Sequence, residues 1–226
     1  MRLVREVLPL QRYSGGGRGL REVVNILIAS VGGQGGLTLS RIIAEASVIQ
    51  GLSVRTGETL GMAQRFGSVL SFVRVGERVL SPIFGRGEAD FLLGLELVET
   101  LRAVGYLRNS GLAIAADEYK PPVISSLRPA PGWSKDSVAR TLKEVLGDGL
   151  LLIPARRLAV KAGSHRAINA VLLGVLNASA QLFTHRVVEE AISRVLHGKA
   201  VEISVKAYYE GFNLYKESMR EGCRGG

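Results

Sequence analysis

The stretch "VVNILIASVGGQGGLTLSRIIAEAS", residues 23–47, decides the fold class. Residues 23–31 form a continuous β-branched and apolar run, the pattern of a strand buried on both faces of a sheet. Four glycines then fill five positions, Gly32, Gly33, Gly35 and Gly36, with Gln34 among them. From Leu37 to Gln50 apolar residues recur at helical spacing (Leu39, Ile42, Ile43, Ala46, Ile49), and Gly51 stops the helix. A glycine turn that opens a helix suits an anion, because the first helical amides lack partners and the helix dipole favours negative charge there. It suits a tight, closely packed turn equally well. The usual phosphate templates do not fit. The Gly-x-Gly-x-x-Gly fingerprint fails in both frames, with Thr38 or Gln34 where a glycine belongs, and no lysine follows as in a Walker loop.

Working outward, "LSVRT" (52–56) reads as a second strand and "GETLGMAQRFG" (57–67) as a polar, glycine-rich loop. "SVLSFVRV" and "RVLSPIF" resemble two strands joined by a tight turn at Gly76–Glu77. A buried strand "ADFLLGL", a helix from Glu96 to about Tyr106 and a strand "GLAIAAD" follow. Residues 123–136 read as an irregular excursion, "SVARTLKEVLG" as a helix and "LLLIPA" as a strand. Residues 166–180 are apolar nearly all round, as in a buried helix, and 186–197 are amphipathic. The last element is ambiguous, because "VEISVK" alternates and "AYYEGFNLYKE" does not; it is read as a helix. The expected fold is α/β: a single Rossmann-like layered domain, mostly parallel sheet with helices on both faces and a helical C-terminal third. Residues 1–22 read as a basic flexible tail, 23–217 as the domain and 218–226 as a C-terminal tail.

The bulk numbers narrow the function. With 226 residues and 46% hydrophobic content, the chain can bury a full core. No apolar run is long enough to span a bilayer, and no signal-peptide pattern appears, so a cytoplasmic protein with no membrane partner is expected. The net charge is +9, and residues 1–21 hold five arginines against one glutamate. A basic tail attracts polyanions, but no nucleic-acid-binding motif accompanies it, so nucleic acid is not expected as a partner. The single cysteine, Cys223, cannot supply an iron–sulfur cluster, and three scattered histidines do not form a metal set. Any metal or redox centre is expected on another chain.

The loop at 57–67 carries Glu58, Gln64 and Arg65 just after the second strand. In a parallel sheet, loops at the carboxyl ends of strands share the ligand-binding edge, so this loop is expected to meet the glycine turn there if the two strands are neighbours. Arg65 offers a fork for phosphate or carboxylate, or pairs with Glu58.

Taken in order, "VGGQGG", "GETLGMAQRFGSV", "FVRVG", "SPI", "GEADFLLGLELVETLRAVGYL" and "RAINAVLLG" resemble the gamma-domain family of 2-oxoacid:ferredoxin oxidoreductases, most of all the small (beta) subunit of the indolepyruvate type. The resemblance spans about residues 24–217. It implies a holoenzyme that oxidatively decarboxylates an arylpyruvate with coenzyme A, giving an acyl-CoA, carbon dioxide and reduced ferredoxin. It also implies that thiamine diphosphate and [4Fe–4S] clusters belong to a large (alpha) partner subunit, with none bound by this chain alone, and that ferredoxin is met through the holoenzyme. The positions matching the family motifs are Gly32, Gly33, Gln34 and Gly35, then Glu58, Gly61, Gln64, Arg65 and Gly67, then Arg166, Asn169 and Gly174. Ser30 and Phe66 depart from the glycines usual there.

No residue stands in a recognisable catalytic spacing, and support roles are expected, since cofactors carry the chemistry of this reaction class. Residues Gly32–Gly36 are candidates for coenzyme A phosphates or for the partner surface, Arg65 and Arg166 for phosphate or carboxylate contacts. Asn169 is expected to tie down a loop and Gly174 to permit close helix packing. Two other readings stay open: a gamma subunit of a pyruvate, 2-ketoisovalerate or 2-oxoglutarate ferredoxin oxidoreductase, and a free-standing NAD(P)-binding oxidoreductase.

Overall fold

The computed structural model describes residues 23–60, 67–121 and 134–224. The opening apolar run is β1 (Val24–Val31), in which every residue except Asn25 is buried. It lies inside a six-stranded sheet whose spatial order is β2 (Ser53–Leu60), β3 (Ser68–Gly76), β1, β4 (Ala89–Gly94), β5 (Leu107–Ala116) and β6 (Leu150–Ile153). Strands β1, β4, β5 and β6 pair in parallel, and β3 runs antiparallel to both β1 and β2.

Seven helices cover the sheet in the described residues: α1 (Gly36–Ile49), α2 (Leu97–Ala103), α3 (Lys135–Leu146), α4 (Ala155–Ala162), α5 (Ile168–Ala180), α6 (His185–Val195) and α7 (Lys199–Arg224). The alternation of β1 assigns them to two layers. Ile26 and Ile28 join Leu39 and Ile43 of α1 and Val171 and Val175 of α5 in the larger core. Leu27 and Ala29 join Leu97 and Val98 of α2 and Leu142 of α3 in the smaller one. With both faces covered, β1 has no solvent side to mark with polar residues, hence its unbroken apolar run.

Within the larger core, α5 and α7 cross at backbone contact. A Cβ on Gly174 would lie 2.0 Å from the Tyr208 carbonyl oxygen, and one on Gly211 would lie 2.1 Å from that of Val171. Each helix presents a glycine where the other's backbone arrives, so the close packing expected of Gly174 is reciprocal. One turn on, the buried Asn177 accepts from Phe183 N–H at 2.9 Å through Oδ1. Its Nδ2 donates to the Phe183 carbonyl at 2.9 Å and to the Tyr208 hydroxyl at 2.8 Å. The Tyr208 hydroxyl also pairs with His185 Nδ1 at 2.8 Å.

Several expectations need correction. The second strand does not stop at residue 56: β2 continues to Leu60 by pairing with β3, so Glu58 lies in a strand, opposite Ser71. "RVLSPIF" is not a strand. Residues 77–88 pack as irregular chain beside the β2–β3 ribbon, with Pro82 and Ile83 against Gly57 and Phe84 in the smaller core. β1 and β2 are not neighbours, since β3 returns between them. The ambiguous last element is helical, as read, but α7 runs on to Arg224 through the segment expected as a tail. The helix α4 went unrecognised in the sequence. Residues 1–22 lie outside the described residues.

Candidate functional site

The site begins where β1 ends. Gly33 and Gly35 have φ of +90° and +89°, a region that side-chain-bearing residues rarely adopt. Gly35 precedes the first turn of α1, and a Cβ there would lie 2.9 Å from Asn169 Nδ2. At Gly36 a Cβ would lie 2.4 Å from the hydroxyl of Ser30, so that serine packs directly beneath the turn. At Gly33, by contrast, a Cβ would meet nothing within 4 Å; this glycine serves conformation and leaves the backbone open to approach.

Gln34 is turned inward. Its Oε1 accepts from Val31 N–H at 2.8 Å, and its Nε2 makes a long 3.5 Å contact with the Leu95 carbonyl. It braces the turn against the end of β4. The Gly32 amide donates to the Gly67 carbonyl at 2.9 Å, so the glycine turn is tied to the residue that precedes β3. Gly67, the last residue of the segment singled out at 57–67, therefore meets the glycine turn, and does so through β3 rather than through adjacency of β1 and β2. Gly61, Gln64, Arg65 and Phe66 lie outside the described residues. Glu58 is exposed on β2 and is not among the residues around the cleft described next.

That cleft, about 650 Å³, lies at the carboxyl edge of the parallel strands. One wall is Gly33–Gly35. Another part of the lining comes from the chain after β5 (Glu118, Lys120) and from Arg156 in the first turn of α4. Residues Ser164–Asn169, leading into α5, close one end, and Ala200 and Ile203 of α7 add apolar surface. Asn169 is buried and donates to the Gly35 carbonyl at 3.3 Å, while its Oδ1 accepts from Ala170 N–H at 2.9 Å. It ties down the glycine turn, as expected. Arg166 is exposed at the cleft, its amide bonded to Ser164 Oγ at 3.2 Å, and its guanidinium has no ion pair among the described residues.

The cleft is cationic. Arg156 forks onto Glu118, with Nε–Oε1 at 2.7 Å and Nη2 in close contact with Oε2. These hydrogen bonds are the main reason the Glu118 carboxyl is held below its ordinary range, despite the opposing effect of burial; they also raise the Arg156 guanidinium. Lys120, His165 and Arg166 add basic groups around a single carboxylate. The chemistry of such a set suits an anion with several oxygens, a phosphate or carboxylate. Glu118, Lys120, Arg156 and His165 escaped the sequence reading. The rule that located the 57–67 loop, strand ends at one edge, points equally to "DEYK" after β5 and "PARR" after β6. Among the described residues, no three His, Cys, Asp or Glu side chains group as metal ligands.

Residues 25–214 match the model of the family described as pyruvate ferredoxin/flavodoxin oxidoreductase. The chain is 36% identical over 196 residues to the indolepyruvate oxidoreductase subunit IorB of Pyrococcus horikoshii, covering 86% of this chain and 97% of that one. It is 38% identical over 191 residues to the IorB subunit of Archaeoglobus fulgidus, covering 84% and 94%. Among solved structures it shares its fold with the gamma subunit of a keto/oxoacid ferredoxin oxidoreductase from Geobacter sulfurreducens (TM-score 0.63, 20% identity, 86% and 99% covered). It also shares it with 32% of a chain of the 2-oxoglutarate:ferredoxin oxidoreductase from Magnetococcus marinus, solved with 2-oxoglutarate, coenzyme A and succinyl-CoA bound (TM-score 0.64, 19% identity, 87% of this chain). The relatives are subunits of oxidoreductases that act on 2-oxo acids, and this chain belongs to the pyruvate ferredoxin/flavodoxin oxidoreductase family.

Proposed function

We propose that this chain is the small subunit of a ferredoxin-dependent oxidoreductase that oxidatively decarboxylates an arylpyruvate, indolepyruvate above all, with coenzyme A. The products are the aryl-acetyl-CoA, carbon dioxide and reduced ferredoxin. The observation that carries this reading is the 36% identity, over nearly the full length of both chains, to a subunit of an indolepyruvate oxidoreductase. The matches to pyruvate/ketoisovalerate gamma subunits are weaker, 28% for that of Pyrococcus abyssi, and favour the arylpyruvate type over that alternative. Thiamine diphosphate and iron–sulfur clusters, on a large partner subunit, supply the carbanion and electron-transfer chemistry. This chain, with one cysteine, has no thiolate set for a cluster.

Its own contribution is binding and shape. The cleft at the glycine turn takes the phosphates of coenzyme A, and the donor set suits them: an open backbone at Gly33, with Arg156 and Arg166 in the same lining. Contact with the partner subunit is assigned in this reading to Glu58 and Gly67, and to Gly61, Gln64 and Arg65, which lie outside the described residues. No helix among the described residues is long and apolar enough to cross a membrane. A cytoplasmic place for the complex is part of the proposal. The test is purification of the tagged chain from its own anaerobic extract. Recovery of a large thiamine- and iron–sulfur-containing chain, with ferredoxin reduction that needs both arylpyruvate and coenzyme A, is the expected result. Recovery of the chain alone, or activity indifferent to coenzyme A, refutes the reading.

A further inference from the structure

Residues 95–97, the bend from β4 into α2, reach both walls of the cleft. On the glycine side, Leu95 donates to the Ala29 carbonyl at 2.9 Å and receives Gln34 Nε2. On the cationic side, Leu97 N–H donates to the Glu118 carbonyl at 2.8 Å. Between them Glu96 is 1% exposed. Its carboxylate is divided: Oε2 accepts from Glu99 N–H at 2.9 Å, and Oε1 accepts from Lys120 N–H at 3.0 Å.

The first of these bonds caps α2, and capping alone does not call for glutamate. Short Ser, Thr, Asp or Asn side chains cap helices best, because they reach the first-turn amides without spare length. A buried carboxylate is also costly to desolvate unless its oxygens are hydrogen-bonded. The extra methylene of Glu96 takes the second oxygen across to the chain that follows β5. There it pins the Lys120 backbone, two residues past the carboxylate that orients Arg156. Glu96 itself is not among the residues lining the cleft.

We infer that Glu96 is a positioning residue for anion binding: it clamps the 118–120 segment to the bend that braces the glycine turn, and so fixes the distance between the Arg156 wall and the Gly33 wall. This rests on the reading that the cleft takes coenzyme A. The test uses the holoenzyme carrying Glu96→Asp, which keeps the charge and shortens the reach, or Glu96→Gln, which keeps the length and removes one acceptor. Arg156→Gln and Arg166→Gln report on the cleft directly. The expected result for the Glu96 variants is a KM for coenzyme A raised on the order of tenfold, the KM for the 2-oxo acid moving much less, and faster hydrogen exchange at the Lys120 amide. A rise for the arginine variants but none for either Glu96 variant overturns the positioning role and leaves the coenzyme A reading standing. No rise in any of the four sinks that reading and the inference with it. Equal rises in both KM values, or a lowered melting temperature with no selective change, reduce Glu96 to a structural cap and also overturn the inference.

Discussion

The middle and the start of α5 solve opposite problems. Its middle crosses α7 with hydrogen atoms where side chains would be, Gly174 against the Tyr208 backbone and Gly211 against that of Val171. Its first turn borders a cleft whose polar groups are held by named hydrogen bonds, Asn169 on the glycine turn and Glu118 on Arg156. The crossing is specified by absence of volume, so nearly any addition harms it. The cleft is specified by direction and charge, so its residues tolerate change in stability better than change in binding. The lesson is that one helix carries the fold at its centre and presents the site at its start.

Substitutions can break this contrast, and the largest effect belongs to the crossing. Gly174→Val should destabilise by about 3 kcal/mol, because backbone rather than a movable side chain lies in the way, and thermal or denaturant unfolding reads it. An effect under about 1 kcal/mol would mean that the helices can slide apart. Asn177→Leu comes next, at about 2 kcal/mol, since it leaves the buried N–H and carbonyl of Phe183 without their partner.

The titrating groups sharpen the comparison from both ends of the pH scale. Burial pushes the Tyr208 hydroxyl up to about 12, and the bond to Glu189 takes that of Tyr209 to about 12. Both are raised above the unfolded value near 10, so their contribution is whole below pH 10 and is lost as pH rises toward 12. Tyr208→Phe should flatten that alkaline loss, measured as stability against pH. Glu118 has the opposite sign. Its carboxyl is held below the ordinary 4.5, so its contribution is present above that value and is lost as pH falls through the lowered folded one. Glu118→Gln should remove part of the acid sensitivity, with a smaller amplitude because the pair is partly solvated. The smallest effect is expected on the outer surface. Arg194, exposed between Glu45 and Glu190, should give no resolvable change in melting temperature as Arg194→Ala.

How much of this was legible in the sequence varies by element. Residues 23–50 read correctly as strand, glycine turn and helix, because burial on both faces and helical spacing are local patterns. Gly174 and Asn169 were legible for a related reason: a glycine and an amide inside an apolar helix each need a neighbour to account for them. The extension of β2 to Leu60 was not legible, since "GETL" carries no strand pattern of its own and becomes strand only by pairing with β3. "RVLSPIF" erred the other way. Its apolar residues cover the β2–β3 ribbon rather than joining a sheet.

The sequence by itself determined the layered α/β class, the apolar helices and the motif order that marks the family, because periodicity and spacing are written along the chain. Only the tertiary structure decided that β3 lies between β1 and β2, that Gln34 turns inward, and that Glu118, Arg156 and Arg166 meet across one cleft. The reason is geometric. Strand order and side-chain convergence depend on which distant segments pack together, and residues 34, 96, 118, 156 and 166 become neighbours only when four parallel strands bring their carboxyl ends to one edge.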